Sequence, residues 1–140
     1  MAGNPGGLTV LAAGNRVARG VHARSAEGSV RMITCYLRYV IDPYRLAEFE
    51  AYAKLWIPLV NRMGGIHHGY FLPGEGANNI AVALFSFPSL AAYEAYRASI
   101  PGDRRCQEAL ALADRTRCIV SYQRSFMRPV LDADCERPGD

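Results

Sequence analysis

The sequence runs to 140 residues, enough for one domain whose core stands without disulfides or metals. Half of it is apolar, and the four cysteines, Cys35, Cys106, Cys118 and Cys135, lie too far apart for a zinc knuckle or a redox pair, so reduced thiols and no metal site are expected. The net charge of +3 belongs to residues 1–31, where Arg16, Arg19, Arg24 and Arg31 face Glu27 alone; residues 32–140 balance twelve basic against twelve acidic side chains, with Lys54 the sole lysine, which argues against a nucleic-acid-binding face.

Residues 1–31 are rich in Gly, Ala and Arg. Their one apolar run, residues 8–13, is too short for a membrane span and short for a signal sequence. Without periodicity they read as a disordered leader. An acid-poor, arginine-bearing leader also resembles an organellar transit peptide, but patterning begins at Met32, which favours an upstream extension ahead of a cytoplasmic protein. The structured body is expected over residues 32–131. Residues 132–140, polar and holding Pro138 and Gly139, read as a flexible tail.

The first predicted strand covers residues 32–41, where Ile33, Cys35, Leu37, Tyr39 and Ile41 alternate with Thr34, Tyr36, Arg38 and Val40. Asp42-Pro43 then opens a helix, because Asp can cap free N–H groups and Pro at the first position loses no needed bond. Leu46, Phe49, Ala53, Trp56, Val60 and Met63 form its apolar stripe, and Gly64-Gly65 closes it. Pro58 lies inside the pattern and should kink or loosen the turn that holds Trp56. Residues 66–73 and 79–87 read as an antiparallel hairpin around Gly74, Gly76 and Asn78. Pro88-Ser89 begins a helix to about Ser99 with Leu90, Tyr93 and Tyr96 inward. Pro101-Gly102 breaks it, and Asp103 caps another to about Arg115 with Cys106, Ala109, Leu110 and Ala113 inward. The last strand is residues 117–127, ended by Pro129.

Strand, helix, hairpin, helix, strand is the ferredoxin-like βαββαβ order, an α+β fold with an antiparallel sheet. In that arrangement the first and last strands are expected to line one sheet face without being direct neighbours. The helices cover one face only, yet in the third strand both Ile80, Val82 and Leu84 and, opposite them, Ala81, Ala83, Phe85 and Phe87 are apolar. A second copy is the simplest cover, giving a homodimer built as a dimeric α+β barrel.

Tyr36-Leu37-Arg38-Tyr39, the stretch from Leu46 to Phe49, Gly64-Gly65, the Gly74 to Asn79 hairpin with its apolar strand, and Ser89-Leu90-Ala91 together resemble the NIPSNAP family, over about residues 32–131. The resemblance implies a dimeric α+β barrel of the broad superfamily that includes antibiotic-biosynthesis monooxygenases, haem-degrading enzymes and chlorite dismutases. It implies no particular reaction. Many relatives carry a His and a Trp on the third strand where this chain has Ala83 and Phe85, so a pocket here must be built differently.

The chemistry-bearing candidates sit mostly on strands. His67 and His68 are neighbours and should point to opposite faces, His68 with Ile66, Tyr70 and Leu72, and His67 with Gly69 and Phe71. Thr34, Tyr36 and Arg38 share a face of the first strand; Val120, Tyr122 and Arg124 share one of the last. Tyr93, Tyr96, Arg97, Arg104 and Arg105 are placed to border a cavity mouth. No phosphate loop, nucleophile elbow or zinc helix is present, and neither a flavin nor a nicotinamide signature, so no cofactor is expected. The resulting expectation is a small apolar pocket for a hydrophobic or aromatic metabolite, suited to a cofactor-free oxidation or isomerisation. In it His68 moves a proton, Arg38 anchors a ligand oxygen, Tyr36 and Tyr122 orient the substrate, and Trp56, His67 and Arg124 complete the lining. A non-catalytic adaptor is the alternative, and a haem binder ligated by His67 or His68 the third reading.

Overall fold

The structure, a computed structural model, describes residues 32–131; what the sequence leads one to expect of residues 1–31 and 132–140 lies outside the described residues. The order is β1 (Ile33–Ile41), a 3-10 turn (Pro43–Arg45), α1 (Leu46–Arg62), β2 (Ile66–Phe71), β3 (Ile80–Phe87), α2 (Leu90–Ser99), a second 3-10 turn (Ile100–Gly102), α3 (Arg104–Thr116) and β4 (Ile119–Met127). Three polar side chains start the helical segments by satisfying free N–H groups. Asp42 accepts from the Tyr44 backbone at 2.9 Å, Ser89 from Ala92 at 3.1 Å and Asp103 from Cys106 at 3.0 Å. Residues 42–45 form the short turn, so the long helix begins at Leu46. Arg117 is the left-handed cap of α3 (φ 58°), which starts β4 two residues later than the alternation suggested. Pro58 stays within a continuous α1.

The four strands form one antiparallel sheet in the order β2-β3-β1-β4, the ferredoxin-like arrangement. The first and last strands are therefore direct neighbours, paired from Thr34↔Met127 to Ile41↔Ile119, which corrects the expected separation. Both helical layers lie on one face. Cys35, Leu37, Tyr39 and Ile41 of β1 and Ala81, Ala83, Phe85 and Phe87 of β3 point into it and are buried. Phe49, Tyr52, Trp56 and Val60 of α1 and Leu90, Tyr93 and Tyr96 of α2 close over them. The alanines on β3 leave room for large neighbours. Tyr39, beside Ala81, and Tyr70, beside Ala83, stack with their ring centroids 6.2 Å apart. Phe85 and Phe87 thus belong to the core, and the opposite sheet face carries Ile80, Val82 and Leu84 with Tyr36, Arg38, Ile66 and Phe71.

Two irregularities matter for the site. The ladder between β2 and β3 shifts register between His67 and Gly69, so His68 is the extra residue of a bulge. Gly69 takes φ 116°, a conformation that glycine adopts without steric cost. The ladder between β1 and β4 shifts at Val40/Ile41, opposite Val120, which is 65% exposed. No helix among the described residues is long and apolar enough to cross a membrane.

Candidate functional site

Between the sheet and the helices lies a cavity of about 20 Å³, partly open to solvent, with room for one or two water molecules. Its floor is Leu37, Tyr39, His67, Tyr70, Phe85 and Arg124 from the four strands. Its roof is Tyr52, Trp56 and Val60 from α1 and Tyr96 and Arg97 from α2. No Asp or Glu lines it.

His67 is the most sharply defined group. The bulge places it on the helix side, opposite Phe85 in the ladder. Its ring is sandwiched between Tyr70 (5.0 Å, 16°) and Phe85 (5.3 Å, 27°). Nδ1 accepts a hydrogen bond from the Gly69 backbone N–H at 2.9 Å. A neutral imidazole accepting at Nδ1 carries its proton on Nε2. That Nε2 is buried and has no partner. Burial, and then the neighbouring His68, pushes the His67 pKa down to about 4, so the ring is a neutral N–H donor at neutral pH.

The other groups follow the same pattern. Trp56 is 4% exposed, and its Nε1–H, although close to the Tyr52 hydroxyl, makes no well-formed hydrogen bond. Arg97 is 7% exposed; its Nε–H has no partner and it enters no ion pair among the described residues. Arg124 lies 5.6 Å above the Tyr122 ring, a cation–π distance. Burial pushes Tyr39, Tyr52, Tyr70 and Tyr96 up, so all four stay neutral phenols. The Cys35 thiol, beside Tyr93 and Arg124, is pushed up by burial to about 11 and is not a nucleophile at neutral pH. The cavity therefore presents N–H donors and positive charge inside aromatic walls. It contains no group poised to take a proton.

The expected site residues separate into two groups on opposite sheet faces. Trp56, His67 and Arg124 line the cavity, and Tyr122 packs beside it against Tyr39 and Arg124. Tyr36 and Arg38 face the helix-free side, where they pair with Ser125 and Gln123, so they cannot share a ligand with Tyr122 or Arg124. His68 is on that side too. Its Nε2 lies 2.8 Å from Ser86 Oγ, which lies 2.7 Å from Thr34 Oγ1, a chain across three strands. The bulge changes the expected grouping in part: Ile66 and His68 do share the outer face, but Tyr70 sides with His67 and Phe71 faces away. Val120 falls in the β4 irregularity and does not share the face of Tyr122. Of the residues expected at a cavity mouth, Tyr96 and Arg97 line the cavity while the Arg104 side chain is 91% exposed. Tyr39, Tyr70 and Phe85 stand in the sequence reading only as core or strand spacing, and Tyr52 lies outside the apolar stripe read for α1. The one sequence signal for the altered parity is Gly69 inside a strand pattern, a mark of bulges. Ala83 and Phe85 of β3 supply no imidazole, and that of this cavity comes from the adjacent strand as His67.

Three solved structures and one family model bear on this arrangement. The NIPSNAP family model matches residues 36–133. A NIPSNAP family protein of unknown function from Agrobacterium tumefaciens is 21% identical over 71% of this chain and 89% of its own, with a TM-score of 0.61. A NIPSNAP-like domain protein from Burkholderia xenovorans is 22% identical over 73% and 88%, with a TM-score of 0.60. A Bacteroides thetaiotaomicron protein, assigned provisionally as an antibiotic biosynthesis monooxygenase, is 19% identical over 74% and 93%, with a TM-score of 0.54. At these identities the likeness establishes the fold. No curated protein matches the chain.

Proposed function

The chain belongs to the NIPSNAP family, and from that premise we propose that it is a homodimer each of whose protomers binds a small molecule in the cavity between sheet and helices. The observation that carries this reading is the lining: buried N–H groups of His67 and Arg97 have no protein acceptor and, with Trp56, border a cavity with aromatic walls. Leaving such groups unsatisfied costs about 1–3 kcal/mol each, a cost that a ligand removes. The dimer is supported by the helix-free sheet face, where Ile66, Phe71 and Met127 are about half exposed beside partly buried Ile80, Val82 and Leu84. Apolar area of that kind favours association. Cofactor-free oxidation or isomerisation of the bound molecule is the reaction class kept in this reading, with activation by hydrogen bonds to a ligand oxygen rather than by a protein base. The roles drawn from sequence for His68, Arg38 and Tyr36 move to the sheet face where the second copy is placed.

Haem fits the residues poorly. An axial histidine needs a free ring nitrogen, whereas His67 Nε2 is the protonated one and His68 Nε2 is engaged by Ser86. A cavity of about 20 Å³ also has no room for a porphyrin without parting α1 from the sheet.

Native mass spectrometry of the full chain, under conditions that retain small ligands, tests the proposal. A dimer with a reproducible extra mass of small-molecule size is the expected result. An empty monomer refutes it, and the loss of the extra mass in Trp56→Ala and Arg97→Leu variants locates the ligand.

A further inference from the structure

Resting on the ligand-cavity reading, we infer that the group this cavity recognises is a carboxylate, so that its ligand is a small organic acid held by Arg97 and by the N–H group of His67, with Trp56 beside it. The unpartnered buried atoms of His67 and Arg97 that line the cavity are N–H groups, which call for an acceptor. A carboxylate is acceptor-only, with about four lone-pair positions on two oxygens. Water brings its own hydrogens and cannot neutralise a guanidinium.

Charge points the same way. Arg97 is buried and lines the cavity together with Tyr39, Phe85 and Tyr96, with no acidic residue in the cavity wall, and Arg124 adds a second guanidinium. A buried cation without a counter-ion is costly, and the cost falls when an anion enters. Size selects the anion. Space for one or two waters matches the two oxygens of a planar carboxylate head, with the rest of the acid in the partly open mouth. The aromatic walls lower the local dielectric and strengthen each charge-assisted bond.

His67 then has a specific part. Its Nδ1 is committed to the Gly69 N–H, its ring is clamped between Tyr70 and Phe85, and its Nε2–H is buried at the cavity wall without a partner. It is a positioning donor to one carboxylate oxygen, while Arg97 supplies the charge.

Trp56 is the only tryptophan in the chain, so its emission reports this cavity alone. The experiment titrates the full chain at constant ionic strength with sodium acetate and sodium benzoate, and in parallel with acetamide and benzamide, following Trp56 emission and Tm. At least one acid should give a saturable change and raise Tm. Its matched amide should bind at least about tenfold more weakly, the value of one charge-assisted hydrogen bond. Arg97→Leu should remove the preference for the acid. Arg97→Gln, which keeps an N–H and drops the charge, should lose it as well and serves if the leucine variant does not fold. Amides that bind as tightly as acids overturn the carboxylate assignment while leaving a ligand cavity in place. Acid binding that survives both Arg97 variants overturns it too. Silence from all four probes also overturns it, and the native mass measurement then decides independently whether the cavity holds any ligand.

Discussion

Acidification should weaken this fold in part through His67. Its ring is clamped between Tyr70 and Phe85, and burial, followed by the nearby His68, lowers its pKa from 6.5 to about 4. The folded protein resists the proton while the unfolded chain accepts it near 6.5. The stabilisation from a neutral His67 is therefore fully present above pH 6.5 and drains away as pH falls toward 4. At ~1.4 kcal/mol per unit the full difference is about 3 kcal/mol. The ring is only partly buried, so solvent screening reduces this to about 1–2 kcal/mol. Urea unfolding of the wild type and of His67→Phe, at about pH 7.5 and about pH 4.5, isolates the effect. Phenylalanine keeps the stack and removes the titration, and carboxylates common to both proteins cancel in the difference. The wild type should lose about 1–2 kcal/mol more than the variant between the two pH values. An equal loss in both refutes the reasoning, as does a nitrogen NMR titration that finds the His67 ring charged at about pH 6.

Gly65→Ala should destabilise by about 1–3 kcal/mol in the same urea assay, because the added Cβ would sit 2.7 Å from Phe87 Cζ and 2.8 Å from Val60 Cγ1; a neutral result would mean the contact between α1 and β3 yields easily. Removing the cap of α2 with Ser89→Ala frees the Ala92 N–H and should cost about 1 kcal/mol, partly recovered by Ser89→Asp. Phe71→Glu places a charge on the helix-free sheet face at a residue that is 54% exposed. It should leave the thermal melt of the protomer nearly unchanged and weaken dimerisation at least about tenfold in sedimentation velocity. A dimer that survives this change excludes the sheet face as the interface.

The ferredoxin-like order, the alternation of β1, and the caps at Asp42 and Asp103 were all legible in the residues, because each rests on interactions within a few positions along the chain. So were the inward faces of α2 and α3, where Tyr93, Tyr96, Cys106, Ala109 and Ala113 recur at helical spacing. The composition of the site was partly legible too, since Trp56, His67 and Arg124 do meet. Its partition was not. Counting by twos assumes an unbroken ladder, and the bulge at His68 breaks it, sending His67 and Tyr70 inward and His68 outward. Whether Arg38 and Arg124 share a face depends on the pairing of β1 with β4, residues some eighty-five positions apart, and the register Leu37↔Arg124 puts them on opposite sides. Local periodicity and capping are enough to say which residues of one strand or helix lie together. Which of those faces meet follows from the folded arrangement, because register and bulges are settled by partners far away in the chain.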